Sequence, residues 1–133
     1  MTTLNPAALP PEMAAIIQDP KFRGFLEEHV STFVFNALPA GWEDERHYFD
    51  VRVCRRGDGW YAVMNARNDV LSDEDDWDYE PLPSSRSEKF LRTHRFRFDD
   101  AIIKAQEIAP HVTLMGKTPE EFVEWQQAKQ DDE

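Results

Sequence analysis

The strongest constraint on the fold is local. Two alternating runs, His47 to Arg55 and Trp60 to Arg67, are joined through Arg56-Gly57-Asp58-Gly59. Asp-Gly suits a two-residue hairpin loop, because both of its central positions need positive φ. A loop at Asp58-Gly59 pairs Val53 with Met64, Val51 with Ala66 and Asp50 with Arg67. One face then collects Phe49, Val51, Val53, Trp60, Ala62 and Met64. The other collects Tyr48, Asp50, Arg52, Arg56, Tyr61, Val63 and Arg67. That register sorts apolar from polar and sets opposite charges across from each other, so a half-buried antiparallel ribbon is expected.

A ribbon needs cover on its apolar face. Asp19-Pro20 reads as an N-cap followed by proline at the first helical position. Phe22, Phe25, Leu26, Val30, Phe33 and Val34 then recur at helical spacing, predicting a helix that ends before Pro39. Pro10 to Gln18 reads as a short helical turn. Leu91 to Phe98 alternates again, with His94, Phe96 and Phe98 on one side and Thr93, Arg95 and Arg97 on the other, predicting a third strand. Asp99 caps a helix over Asp100 to Ala109, and His111 to Met115 reads as a short edge strand. Thr118-Pro119-Glu120-Glu121 is a capping box that starts a last helix carrying Phe122, Val123 and Trp125, with Gln126 to Glu133 fraying.

The expected fold is therefore α+β: an N-terminal helix, a three-stranded antiparallel sheet made of a long hairpin and a third strand, and two C-terminal helices on one sheet face. Residues 1–9 read as a flexible arm and 10–130 as a single domain, with an acidic loop at 68–80 and a Pro/Ser loop at 81–87. With 133 residues, 41% of them hydrophobic, the chain is long enough to bury a core without staples.

Charge is segregated rather than spread. Asn68 to Glu80 holds seven carboxylates and no Lys or Arg, and it lies between two basic stretches, Arg46 to Arg67 and Arg86 to Arg97. The formal net charge of −11 opposes a phosphate backbone or an anionic membrane as partner and favours a basic protein. Four fates are open to the acidic segment. It can be solvated, fold back on the basic face, be displayed to a partner with Trp77 and Tyr79 as anchors, or bind calcium. For calcium the spacing is not that of an EF-hand and the turn glycine is missing. The candidate partner-binding residues are Asp69, Asp73, Glu74, Asp75, Asp76, Trp77, Asp78, Tyr79 and Glu80.

Tyr48, Arg52, Arg56, Tyr61, Arg67, Arg95 and Arg97 form the alternative, a basic and aromatic face of the kind that holds nucleic acid by phosphate pairing and base stacking. The order helix, three strands, helix is similar to that of double-stranded-RNA-binding domains. The basic cluster such domains carry at the start of the last helix is missing, since Asp99-Asp100 and Glu120-Glu121 open the helices here.

Other motifs carry little. Arg56-Gly57-Asp58 spells an adhesion tripeptide but is explained by turn chemistry. His29, His47, His94 and His111 lack metal spacing, and neither a phosphate-binding loop nor a nucleophile elbow occurs. Cys54 is the lone cysteine, flanked by Arg52 and Arg56, which excludes an intrachain disulfide and points to a reducing, cytoplasmic setting. The first residues lack the basic n-region of a signal peptide. The expectation is a non-enzymatic, cofactor-free acidic protein-binding module of inhibitor or immunity type. It would cover a basic, nucleic-acid-handling site on a target protein, with an edge strand open to homodimer pairing.

Overall fold

The computed structural model describes residues 2–4, 21, 24 and 30–131. Its strands are β1 (Thr2–Leu4), β2 (Val30–Phe35), β3 (Val51–Arg55), β4 (Trp60–Met64), β5 (Val70–Leu71), β6 (Trp77–Asp78) and β7 (Phe96–Arg97). They form one sheet in the order β1-β2-β3-β4-β5-β6, with β7 also pairing β4. β1 joins β2 in parallel and the remaining pairs are antiparallel. The helices of the C-terminal half are α1 (Glu88–Thr93), α2 (Phe98–Ile108) and α3 (Pro119–Asp131).

The α+β class stands, but the expected three-stranded sheet behind an N-terminal helix does not. Lys21 and Gly24 have helical backbone, whereas Val30, Phe33 and Val34 lie in β2. Phe22, Phe25, Leu26 and the predicted turn at Pro10 to Gln18 lie outside the described residues. Val-Ser-Thr-Phe-Val-Phe is rich in β-branched and aromatic residues, and in a short apolar run that preference outweighs chance helical spacing. Thr2–Leu4, within the expected arm, is β1.

Half of the predicted third strand is helix, divided between α1 and the start of α2. Ser87 caps α1 by accepting a hydrogen bond from the Phe90 N–H at 3.0 Å, and Glu88 sits favourably in the first turn. Extended backbone resumes only at Phe96–Arg97. The edge strand predicted over His111 to Met115 is instead a 3-10 turn (Ala109–His111) followed by a tight turn bridging Leu114 and Lys117. The capping box forms: Thr118 N–H donates to Glu121 Oε1 at 3.0 Å and Glu121 N–H to Thr118 Oγ1 at 3.3 Å. The helix it opens runs on to Asp131 rather than fraying from Gln126.

The β3–β4 hairpin is present with its register shifted by one residue. Val53 faces Val63, Cys54 faces Ala62 and Arg55 faces Tyr61. Gly57, Asp58 and Gly59 all have positive φ (97°, 51° and 78°), so the loop takes three residues instead of two. A side chain at Gly59 would also meet the Arg97 guanidinium at 3.1 Å. One step of register turns every β4 side chain over. Tyr61, expected on the polar face, is 1% exposed in the core. β4 tolerates this because the sheet is covered on both sides.

The larger core joins Phe33, Val51, Val53, Tyr61 and Val63 to Phe98, Ala101, Ile102 and Ala105 of α2 and to Phe122 of α3. Phe98 meets Phe33 and Tyr61 edge-on at 5.2 and 5.4 Å. On the opposite face Cys54, Ala62, Met64 and Val70 form a smaller cluster covered by Phe90 of α1. The helices thus occupy both faces, where one had been expected.

Candidate functional site

Two tight turns, seven residues apart, build the acidic region. In Asn65-Ala66-Arg67-Asn68-Asp69, the Asn65 Oδ1 accepts from the Arg67 and Asp69 N–H groups, both at 3.0 Å, and Asn68 takes φ 66°. In Ser72-Asp73-Glu74-Asp75-Asp76, the Ser72 Oγ accepts from the Glu74 and Asp76 N–H groups at 3.2 and 3.1 Å, and Asp75 takes φ 65°. Both are three-residue hairpin loops that end in a left-handed residue, where Asn and Asp are tolerated. Between and after them β5 and β6 pair, so the expected acidic loop at 68–80 is a structured hairpin on the sheet.

Strand alternation then divides the carboxylates. Asp78 pairs with Val70 and so points to the α1 side of the sheet, as does Glu80 two residues on. Asp78 accepts from or pairs with His94 Nε2 at 2.8 Å, while His94 stacks on Phe90 with ring centroids 4.2 Å apart. Glu80 is held by three guanidinium groups: Arg95, Arg56 at 3.2 Å and Arg86 at 3.7 Å. Its side chain is 9% exposed and that of Arg95 is 5% exposed. Burial works against the charged form of Glu80. The hydrogen bonds and charges of Arg56, then Arg95, outweigh it and hold the carboxyl below its ordinary range. Burial also lowers Arg95, and Glu80 opposes that shift. The first residues of the hairpin are pinned as well: Asp73 N–H donates to the Thr93 carbonyl at 2.8 Å, and Lys104 of α2 pairs with Asp75 at 2.8 Å.

Of the residues proposed for partner binding, Asp73, Glu74, Asp75 and Asp76 are exposed at the turn and Tyr79 is 75% exposed. Asp69 is half-buried, 3.9 Å from Arg67. Trp77 is not an outward anchor, because it packs against the larger core. Glu80 is sheltered among its arginines, while Asp78, its side chain still 48% exposed, pairs with His94.

The arginine face is largely spent on the protein itself. Arg52 donates to the Asn65 carbonyl at 3.1 Å and to Asn68 Oδ1. Arg56 donates to Met64 Sδ at 3.0 Å in addition to Glu80, which also removes it from the Arg-Gly-Asp tip. Arg95 is buried, and Arg97 lies over the Trp60 ring at 3.9 Å. Tyr48, Arg56, Arg67 and Arg97 of that set remain exposed, Arg56 and Arg97 while holding the contacts just named.

Sequence reasoning missed Arg86, His94, Thr93 and Lys104 as partners of the acidic segment: the last three lie 16 to 29 residues from their partners, and Arg86 reaches Glu80 across the Pro81 to Arg86 loop, whose course no local pattern gives. The two turns had a local signal, Asn-x-x-Asn-Asp and Ser-x-x-Asp-Asp at a spacing of seven. Cys54 is buried, and burial raises its thiol more than Arg52 and Arg56 lower it, so it is not an activated nucleophile. Among the described residues no group of three or more His, Cys, Asp or Glu could hold a metal ion, and no helix is long and apolar enough to cross a membrane. No family model matches the chain, and no curated protein or solved structure matches it either.

Proposed function

We propose that the chain is a non-enzymatic acidic module that binds a basic surface on another protein, of the kind a nucleic-acid-handling site presents. The observation that carries this is the pinned hairpin. Glu80 and Asp78 are spent holding the segment to Arg56, Arg86, Arg95 and His94, and the turn they support presents Asp73, Glu74 and Asp76 outward from a fixed backbone. Charges on a pre-ordered backbone lose less conformational entropy on binding than charges on a floppy loop. Steering by these carboxylates sets the association rate, and the exposed Tyr79 and Leu82 beside them supply apolar anchors.

The nucleic-acid alternative stands second, because Arg52, Arg56 and Arg95 are engaged within the protein and Tyr61 is buried. The experiment is retention of partners from lysate by wild type and by Asp73→Asn/Glu74→Gln/Asp76→Asn, eluted along a salt gradient. A basic protein held by wild type, lost from the variant and released by moderate salt is the expected result. Equal retention by both baits rules the acidic turn out as the interface, and nucleic acid on either bait favours the alternative.

A further inference from the structure

Away from the acidic turn lies a cleft of about 530 Å³, within the roughly 300–1,000 Å³ typical of small-molecule sites. Three hydrogen-bonded turns form it. Tyr48 and His47 come from the 3-10 turn Arg46–Phe49, Arg67 from the Asn65–Asp69 turn, and Met115 with Gly116 from the turn closed by reciprocal Leu114 and Lys117 hydrogen bonds at 2.9 and 3.0 Å. Trp77, half-buried, contributes from β6.

The lining has a definite chemistry. In a chain of net charge −11 it gathers the Arg67 guanidinium and the His47 and His111 imidazoles against one carboxylate, Asp50. Asp50 already accepts from Asn36 Nδ2 at 2.8 Å. The Arg67 side chain is 76% exposed and its nearest carboxylate oxygen, on Asp69, is 3.9 Å away, so its donors are open to a ligand. Planar side chains line the same cleft: Trp77, and Tyr48 with the His47 ring 3.9 Å from it. Tyr48 and Met115 are exposed large apolar side chains on two different walls of the cleft. Met115 is held at φ 53°, where a non-glycine side chain is uncommon, so an apolar side chain is kept at a position whose backbone favours glycine.

We infer that this cleft binds a small molecule that joins a planar ring to a single anionic group, carboxylate or phosphate. The ring stacks among Tyr48, Trp77 and Met115, and the anion meets Arg67 and an imidazole. The site uses none of the carboxylates Asp73, Glu74 and Asp76 proposed for partner binding, although Trp77 belongs to the same hairpin.

The test is an amide NMR titration of the full chain with 1-naphthoate and, separately, adenosine 5′-monophosphate, with adenosine as the uncharged counterpart of the second. The expected result is saturable shifts from at least one anion at Tyr48, Arg67, Trp77 and His111 to Gly116. Adenosine should bind about tenfold or more weaker than the monophosphate if the nucleotide is the better ligand, and Arg67→Ala should weaken the binding anion by a similar factor. Tighter binding of naphthoate assigns the carboxylate, and tighter binding of the nucleotide assigns the phosphate. Scattered or non-saturable shifts from both anions overturn the inference, and so does an unchanged affinity in Arg67→Ala. Met115→Gly supplies a variant that keeps the fold. It should weaken binding of the same probe, and undiminished affinity there also counts against the site.

Discussion

Glu80→Gln probes most directly how the acidic hairpin is held. The carboxylate is 9% exposed, and the substitution leaves Arg95, 5% exposed, as a buried cation without its counter-charge. Removing one partner of a fully buried pair costs about 3–5 kcal/mol. Here Arg56 and Arg86 keep 29% and 20% side-chain exposure, and Gln retains one acceptor oxygen, so about 2–3 kcal/mol is expected. For a domain of this size that lowers Tm by roughly 10 °C. Urea unfolding followed by circular dichroism measures it. Adding Arg95→Met removes the orphaned cation, so the double variant should lose less than the sum of the two single losses.

The pH dependence has a definite sign. The Glu80 carboxyl is held below its ordinary value, so its contribution is fully present above the unfolded carboxyl pKa and is lost as pH falls through the folded one. The gap between wild type and Glu80→Gln should therefore be full at neutral pH and close on the acid side. A loss under about 0.5 kcal/mol, or a gap that persists unchanged into acid, refutes the clamp.

Three other outcomes follow from the same contacts. Asn65→Ala strips the acceptor from two N–H groups at 3.0 Å and should cost about 1–3 kcal/mol, whereas Ser72→Ala, with longer bonds, should cost about 1 kcal/mol or less; the reverse order in urea titrations contradicts the turn assignments. Met115→Gly relieves a positive φ and should stabilise by about 1 kcal/mol in thermal unfolding, where a loss would place Met115 in the core instead. Burial raises the Cys54 thiol, so iodoacetamide should label it slowly at neutral pH in the folded protein and readily in urea, as mass spectrometry would show; equal rates would mean the thiol is open.

The β3–β4 hairpin, the capping box at Thr118 and the acidic character of 68–80 were legible from residue types alone. The hairpin register was not, because Trp60-Tyr61-Ala62-Val63-Met64 has no polar residue to mark a face, and three positive-φ residues in the loop decided it. Alternation at Leu91 to Phe98 suggested a strand, but the Ser87 cap with Glu88 was the stronger local signal, and it starts a helix. Val30 to Phe35 showed helical spacing and β-branched composition together, and pairing with β3 settled the contest. The carboxylate run hid the Val70-Leu71 strand and the Ser72 turn, since charge invites a solvated reading. The Glu80 clamp joins it to Arg86 six residues on, Arg95 fifteen on and Arg56 twenty-four back, across a loop and a helix that no local periodicity spans.

The order of the acidic turn in the free protein is the measurement that bears most directly on how this molecule works. Backbone 15N relaxation at Asp73, Asp75 and Asp76 reads it without any partner. A turn fixed by Ser72, Thr93, Lys104 and the Glu80 clamp should give order parameters near those of β3 and β4, about 0.85, and a protected Asp73 amide. Values below about 0.6 with fast exchange at Asp73 would make the segment a solvated loop and remove the basis for a pre-ordered acidic interface.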